Sequence, residues 1–332
     1  MKKIFFLLIF AFQTFFLFSA PMPKWVLDVD SEYPKETYLA RLGSGPSIEA
    51  AQSNALAQLA GYFSSEVVVN TTSTNNMTNK DEHVTKEQNI NQEVNVISEK
   101  NLTAVEYSKT YYNRKEKKYY IVAYLNREIA WQNLEDKLQA LLERFENFQN
   151  ICETSEDLML RYKYAKKAKV AGQEFLNEIY NGFLINPAKR KDYKSKISEI
   201  NLKIDRDSTV TVPVFLKTTG DYENMITNCV ISEFKNAGFA VTTDFSENLK
   251  YQLSINIKNN EKIEDDIHSI FPELEICLSD ISQTADYYSF QKKWGRTAAF
   301  SLHQAQKKAY AKIIPELKDA LCEDINKNFT EN

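Results

Sequence analysis

The chain has 332 residues, with 41 Lys and Arg against 45 Asp and Glu, for a net charge of −4. That mild acidity argues against nucleic acid as a partner, because phosphate binding needs a basic face. Eight glycines and eight prolines leave no room for a long flexible linker, so the length reads as two packed domains.

Lys2 and Lys3 precede the apolar run Ile4 to Phe18, which is the charged and apolar start of a secretory signal peptide over residues 1–19. The run is short for a membrane span. Cleavage near Ser19 raises the acidity to a net charge near −6. Trp25 to Val29 reads as a strand or lead-in. Tyr38 to Leu42 is a short strand, broken by Gly43, Ser44, Gly45 and Pro46. Ser47 is placed to cap a helix, with Glu49 at its positive end. Ile48, Ala51, Ala55, Leu59 and Phe63 then form one apolar stripe, small enough at Ala51 and Ala55 to sit close on a sheet. Gly43-Ser44-Gly45 lacks the third glycine of a dinucleotide motif and the Gly-Lys-Ser/Thr ending of a phosphate loop, so it reads as a tight turn.

Val67 to Val69 begins a strand, and Asn70 to Asn91 reads as a projecting polar hairpin. Val94 to Tyr112 alternates as long strands with a bulge near Ser98. Asn113 to Lys118 is a turn and Tyr119 to Leu125 the returning strand. Residues 23–127 therefore read β-α-β-β-β, one helix on an antiparallel sheet. Three parts of this stretch resemble the LPP20 family of bacterial envelope proteins. They are Pro23-x-Trp25, then Tyr38-Leu-Ala-x-x-Gly43-x-Gly45-x-Ser47, then Ala51-x-x-x-Ala55-x-x-x-Leu59-Ala60. The resemblance covers about residues 23–128 and implies an exported, mostly non-enzymatic domain, often a lipoprotein, sometimes near the flagellar basal body. The chain departs from that pattern in one respect: its first cysteine is Cys152, so no cysteine follows the apolar run. The expectation is an exported chain without N-terminal lipid, in the periplasm or on the periplasmic face of the outer membrane.

Tyr111, Tyr112, Tyr119 and Tyr120 crowd one hairpin end beside Arg114, Lys115, Lys117 and Lys118. Aromatics among cations could bind a nucleic acid or a sugar. Cross-strand packing with snorkelling lysines explains them as cheaply and is preferred.

Trp131, Leu134, Leu138, Leu141, Phe145, Phe148 and Cys152 recur at spacings of three and four, the stripe of one long helix. Thr154 or Ser155 caps a second, faced by Leu158, Tyr162, Ala165, Leu176, Ile179 and Phe183 and ended by Gly182 and Pro187. Residues 128–186 thus form an antiparallel helical hairpin, packed on a neighbouring domain rather than serving as an oligomerisation stalk. Residues 187–204 are a basic helical connector. From Arg161 to Lys203 the local balance is +7. That balance could touch peptidoglycan or an anionic membrane surface, with Lys189, Arg190 and Lys191 as candidates beside Tyr111, Tyr112 and Arg114. A solvated helix face is the plainer reading.

Residues 205–328 form a second α/β domain, read as another helix on an antiparallel sheet. Thr209 to Leu216 is a strand, at an edge because of Pro213. Tyr222 to Asn236 is a helix closed by Gly238. Phe239 to Val241, Tyr251 to Ile257 and Leu274 to Ile281 are strands, with Tyr287-Tyr288 on another. A helix spans Ser301 to Ile314, and Pro315 starts a new one. Ser301-Leu-x-x-Ala305-Gln306-x-x-Ala309 echoes Ser47-Ile-x-x-Ala51-Gln52-x-x-Ala55. This module is similar, by element order alone, to small α/β domains of periplasmic Tol-type and curli-assembly proteins, which implies binding or assembly.

His83, His268 and His303 are far apart in sequence and have no ligand-spaced neighbours, and no hydrolase, metal or redox motif is present. No catalytic, cofactor or metal residue is expected. Glu264-Asp265-Asp266 lacks the spacing of a calcium loop and reads as a solvated loop. Cys152, Cys229, Cys277 and Cys322 could form two disulfides or remain buried thiols. The fold class is α+β, and the expected role is a structural or assembly component of an envelope complex. The expected partners are envelope proteins or a second copy of the chain. A glycan-binding module is the alternative.

Overall fold

The computed structural model describes residues 21–74 and 104–331, with side chains described for all of these except 64–74 and 331. The signal peptide, His83, residues 75–91 of the polar hairpin and the strand start at 94–103 lie outside them. The chain divides into two units: residues 1–135 with 180–189, and residues 136–179 with 190–332.

In the first unit, a short helix α1 (Lys24–Leu27) buries Trp25. Strand β1 (Tyr38–Gly45) and helix α2 (Ile48–Thr74) follow, then β2 (Glu106–Tyr107), β3 (Tyr111–Asn113) and β4 (Lys118–Asn126). The sheet is antiparallel throughout. β4 is central, with β1 on one side and β2 and β3 in succession on the other. Leu39 pairs with Leu125 and Gly43 with Ile121, so the β1 and β4 residues facing α2 are fixed by register. Among the described residues the order β-α-β-β-β holds, but Val67 to Val69 lie inside α2 rather than on a strand. Three β-branched residues are a weak preference, and the running helix overrides it. The strand before Asn113 is broken at Ser108. There the Ser108 hydroxyl accepts the Val122 N–H at 2.9 Å, while the Ser108 N–H donates to the Val122 carbonyl at 2.9 Å. The side chain thus keeps β4 paired across the break. The core gathers Leu39, Ala55, Leu59, Phe63, Ala123 and Leu125 with Ala130, Leu184 and Ile185.

The central hairpin is helix α3 (Arg127–Thr154) and helix α4 (Leu158–Ile185). α3 starts without a loop after β4 because the Asn126 carboxamide oxygen accepts the N–H groups of Glu128 and Ile129 at 3.0 and 3.1 Å. α4 is capped by Asp157, not by Thr154 or Ser155. The Asp157 carboxylate accepts from Met159 at 2.7 Å and Leu160 at 3.2 Å, two or three residues later than expected because the turn between the helices is longer. Residues 127–135 and 180–185 of the pair belong to the first unit, where Trp131 stacks on Phe183 at 6.2 Å. Residues 136–179 belong to the second, where Lys137 pairs with Glu178 at 2.5 Å and Arg144 with Glu174. Helix α5 (Arg190–Asp207) lies in the second unit, burying Ile200 and Ile204. Its last residue, Asp207, is buried but satisfied by Gln149 and Arg206.

The rest of the second unit is strand β5 (Val212–Thr219), helix α6 (Met225–Ala237), β6 (Phe239–Thr242), β7 (Tyr251–Glu264), β8 (Ile267–Asp280), β9 (Asp286–Lys293), β10 (Thr297–Ala299) and helix α7 (Leu302–Glu331). This sheet is mixed, which corrects the antiparallel expectation: β5 runs parallel to both β6 and β7, and the other pairings are antiparallel. The α6 connection returns the chain parallel, as a helical crossover does. β5 is therefore interior, despite Pro213. The proline is tolerated because pairing with β7 starts one residue later, at Val214. β7 and β8 join through Asp265 and Asp266 at φ 49° and 61°, the geometry of a two-residue hairpin turn. The acidic run is that turn. Helix α7 continues through Pro315, where a break was expected. Burial of Ile313, Leu317, Leu321, Ile325 and Phe329 along one face outweighs the one ladder bond lost. α6 and α7 cover one face of the sheet over Val214, Leu253, Ile255, Ile276 and Leu278. The four cysteines are free thiols, Cys152 buried and Cys322 exposed.

Candidate functional site

The Gly43–Ser47 turn is a packing device. A Cβ on Gly43 would lie 2.2 Å from the Ala51 carbonyl oxygen and 2.3 Å from the Ala55 nitrogen. One on Gly45 would lie 2.7 Å from the Ala51 nitrogen. The space above the glycines is filled by α2 itself, through the fully buried Ala51, Ala55 and Leu59. Ser47 caps the helix by accepting the Ala50 N–H at 3.1 Å. The Glu49 carboxylate is held below its usual range by its own N–H and by the Ser47 hydroxyl.

The tyrosine hairpin pairs across strands. Tyr111 faces Tyr120 and Tyr112 faces Tyr119, with ring centroids 6.5 and 4.7 Å apart. Asn113 is buried and closes the turn, accepting the Lys115 N–H at 3.0 Å and donating to Glu116 at 2.9 Å. Tyr120 donates to Glu116. Arg114 is exposed. The rings thus do structural work on one edge and leave Tyr112, 43% exposed, as the outward aromatic.

A second tyrosine group was not anticipated. Tyr33, Tyr38 and Tyr124 meet with centroids 4.6 to 5.7 Å apart, and Tyr124 donates to Glu106 at 2.8 Å. That hydrogen bond, with burial, pushes the Tyr124 phenol up to about 12. The β1–β4 register places Ala40 opposite Tyr124 and Tyr38 opposite Asn126, one step along. Alternation alone could have put Tyr38 and Tyr124 on the face away from α2; Tyr33 carries no such signal.

The three basic candidates fall in different units. Lys189 belongs to the first unit, pairs with Glu128 at 2.9 Å and lies 5.8 Å over the Trp131 ring. Arg190 and Lys191 open α5 in the second unit and are exposed.

The second unit holds an open cleft of about 610 Å³, lined by Glu156, Asp157, Lys250, Tyr251, Asp280 and Tyr287 among others. Tyr251 and Tyr287 meet edge to face at 5.5 Å. The Tyr251 phenol donates to Asp157 at 2.9 Å and accepts the Met159 N–H at 3.1 Å. Burial first, and the Asp157 charge with it, push that phenol up to about 12, against the opposing Met159 N–H. Asp280 is held far below the carboxylate range by the Ser282 and Thr284 hydroxyls and the Ala285 N–H, which close the β8–β9 turn. Asp157 is also lowered: burial opposes ionisation, but Tyr251 and the N–H groups of Leu160 and Met159 outweigh it. Neither carboxylate is poised near neutrality, as a general base would be. Both inner acids are committed to structure: Asp157 caps α4 and Asp280 closes the β8–β9 turn. Elsewhere His268 meets Glu261 at 2.6 Å and His303 faces Tyr222 at 3.4 Å, each a pair by itself. No group of three metal-ligating side chains is assembled among the described residues.

No curated protein matches the chain. Among solved structures, the secreted protein HP1454 from Helicobacter pylori is 14% identical, with 86% of this chain and 98% of that chain covered and a TM-score of 0.39. A minor lipoprotein from Acinetobacter baumannii is 10% identical over 35% of this chain and 93% of its own, with a TM-score of 0.24. Lipoprotein GNA1162 from Neisseria meningitidis is 9% identical over 33% and 97%, with a TM-score of 0.22. The Tol-type resemblance of the second module has no counterpart in the family match, which lies wholly in the first unit. Residues 23–126, the segment built on the Gly43–Ser47 turn and the stripe of α2, match the model of the LPP20 lipoprotein family.

Proposed function

We propose that this chain is an exported, non-enzymatic envelope protein that works through its surfaces, as a structural or assembly component of a periplasmic or outer-membrane-associated complex. The observation that carries the reading is the LPP20 match over residues 23–126, on a segment whose distinctive residues serve packing. Asp157, Asp280 and Tyr251 at the cleft are each shifted away from neutral chemistry, which supports the non-enzymatic part. The match is to a lipoprotein family, so it gives no support to the expectation of an unlipidated chain. Metabolic labelling with a fatty acid decides that point.

Crosslinking in intact cells followed by envelope fractionation tests the role. A large species with envelope proteins sustains it, and a lone monomer in the soluble fraction overturns it. A second reading, glycan binding, is favoured by the tyrosine-walled cleft. Retention on peptidoglycan that is lost on Tyr287→Ala would establish it, and no retention at low salt would remove it.

A further inference from the structure

From Leu158 to Gln173, helix α4 carries Arg161, Lys163, Lys166, Lys167 and Lys169 and no carboxylate. Among the described residues, none of the four lysines makes an ion pair. Nearby acids on the paired helices are already engaged: Glu174 by Arg144, Glu178 by Lys137, Glu146 by Lys196 and Glu153 by Arg206. This concentration of unpaired positive charge stands out in a chain of net charge −4.

The lysines crowd one another. Burial first, then neighbouring Lys169, lower the pKa of Lys166, and burial with Lys163 does the same to Lys167. An anion laid against them would relieve that repulsion. Lys167 sits over two rings, 5.9 Å from the Phe148 centroid and 5.8 Å from that of Tyr164. Leu160 and Val170, 41% and 37% exposed, fall at helical spacing with Lys163 and Lys167. Cations, aromatics and half-exposed aliphatics on one helix face are the composition of an interfacial surface. Lys163 to Lys169 span about 9 Å of helix axis. Ammonium groups spread along that length do not converge on one phosphate, whereas a plane of headgroups meets Lys163 and Lys167 together, on the face they share with Leu160 and Val170.

The geometry points to this arc of α4 as a contact surface for a membrane of anionic phospholipid. The inference deepens the envelope reading and rests on it. The chain purified from the envelope fraction is floated with vesicles of phosphatidylcholine, alone or mixed with phosphatidylglycerol. Partitioning occurs only onto the mixed vesicles and weakens with salt. K163A/K167A lowers it by about fivefold for each lysine, roughly 25-fold together. K308A/K312A, exposed on α7, leaves it unchanged. Wild type and variants share one amino terminus, so the difference reports the lysines, and a thermal melt of each confirms the fold. Equal binding to both vesicles, or mixed-vesicle binding indifferent to K163A/K167A, overturns the proposal. So does lysine-dependent retention on peptidoglycan without vesicle binding. A chain found in the cytosol defeats the envelope reading and this one with it. A chain in the envelope that ignores vesicles defeats this one alone.

Discussion

Ser47 starts α2 and Ser301 starts α7 with the same local chemistry. Each hydroxyl accepts the N–H three residues on, at 3.1 and 3.3 Å, and each carbonyl accepts the fourth at 3.0 Å. Ala51 and Ala55 in one helix, Ala305 and Ala309 in the other, are all essentially without exposure. The resemblance stops at the sheet. Under α2 the strand offers Gly43 and Gly45, and helix and strand backbones approach until no Cβ fits between them. Beside α7, Gly295 looks into open space. α7 is held instead by bulk: Tyr310, Ile313, Leu317, Leu321, Ile325 and Phe329. A shared cap and small-residue stripe thus specify how a helix begins, not how it packs. Packing is decided by what the facing strand carries.

Four measurements sharpen or break that contrast. The largest effect is expected where bulk seals the second unit. Phe329 is 3% exposed and meets Tyr162 and Phe239 at 5.2 and 5.6 Å, so Phe329→Ala should cost about 3–5 kcal/mol by urea denaturation. A loss under about 1 kcal/mol would mean α7 is not held this way. Next comes Gly43→Ala, whose new methyl collides with backbone. About 3 kcal/mol is expected, at the upper end of overpacking, with about 1–3 for Ala55→Leu. Gly295→Ala should stay within about 0.5 kcal/mol, and equal effects at the two glycines would erase the contrast. Third, Ser47→Ala and Ser301→Ala should each cost about 1 kcal/mol, because the caps are alike. The smallest effect is alkaline. Tyr124 and Tyr251 have folded pKa values raised to about 12 from an unfolded value of about 10. The folded chain keeps these protons longer, so their contribution is present below pH 10 and lost as pH rises toward 12. Tyr251→Phe should flatten that decline for the second unit and Tyr124→Phe for the first. Unchanged alkaline melting curves would show the phenols titrate normally.

Much of this was legible from residue spacing. The stripe from Trp131 to Cys152 predicted α3, and alternation gave β4, β5 and the start of β7. What spacing could not carry was pairing. Val210, Val212, Val214 and Leu216 say that a strand is half buried, not that both its neighbours run parallel. Pro213 pointed to an edge because local rules do not know where the neighbouring ladder starts. The Tyr33–Tyr38–Tyr124 group assembles residues 91 positions apart, through a register no local pattern encodes. The basic stretch was visible as composition. Which lysines are already paired, Lys189 among them, depends on helix faces brought together by the fold.

The division of the α3–α4 pair has a practical result for anyone who excises the family-matched segment. A fragment of residues 23–127, one residue past the family match, looks complete, yet it forfeits Ala130, Leu184 and Ile185 from the core it shares with Leu39, Leu59 and Phe63. It also loses Ile185 as a carbonyl acceptor for the half-buried Arg127 guanidinium. Such a fragment should expose a greasy wound and precipitate. Tethering residues 180–189 back to residue 135 through a short artificial loop should heal it, making the amino-terminal unit a portable module by splicing rather than by trimming.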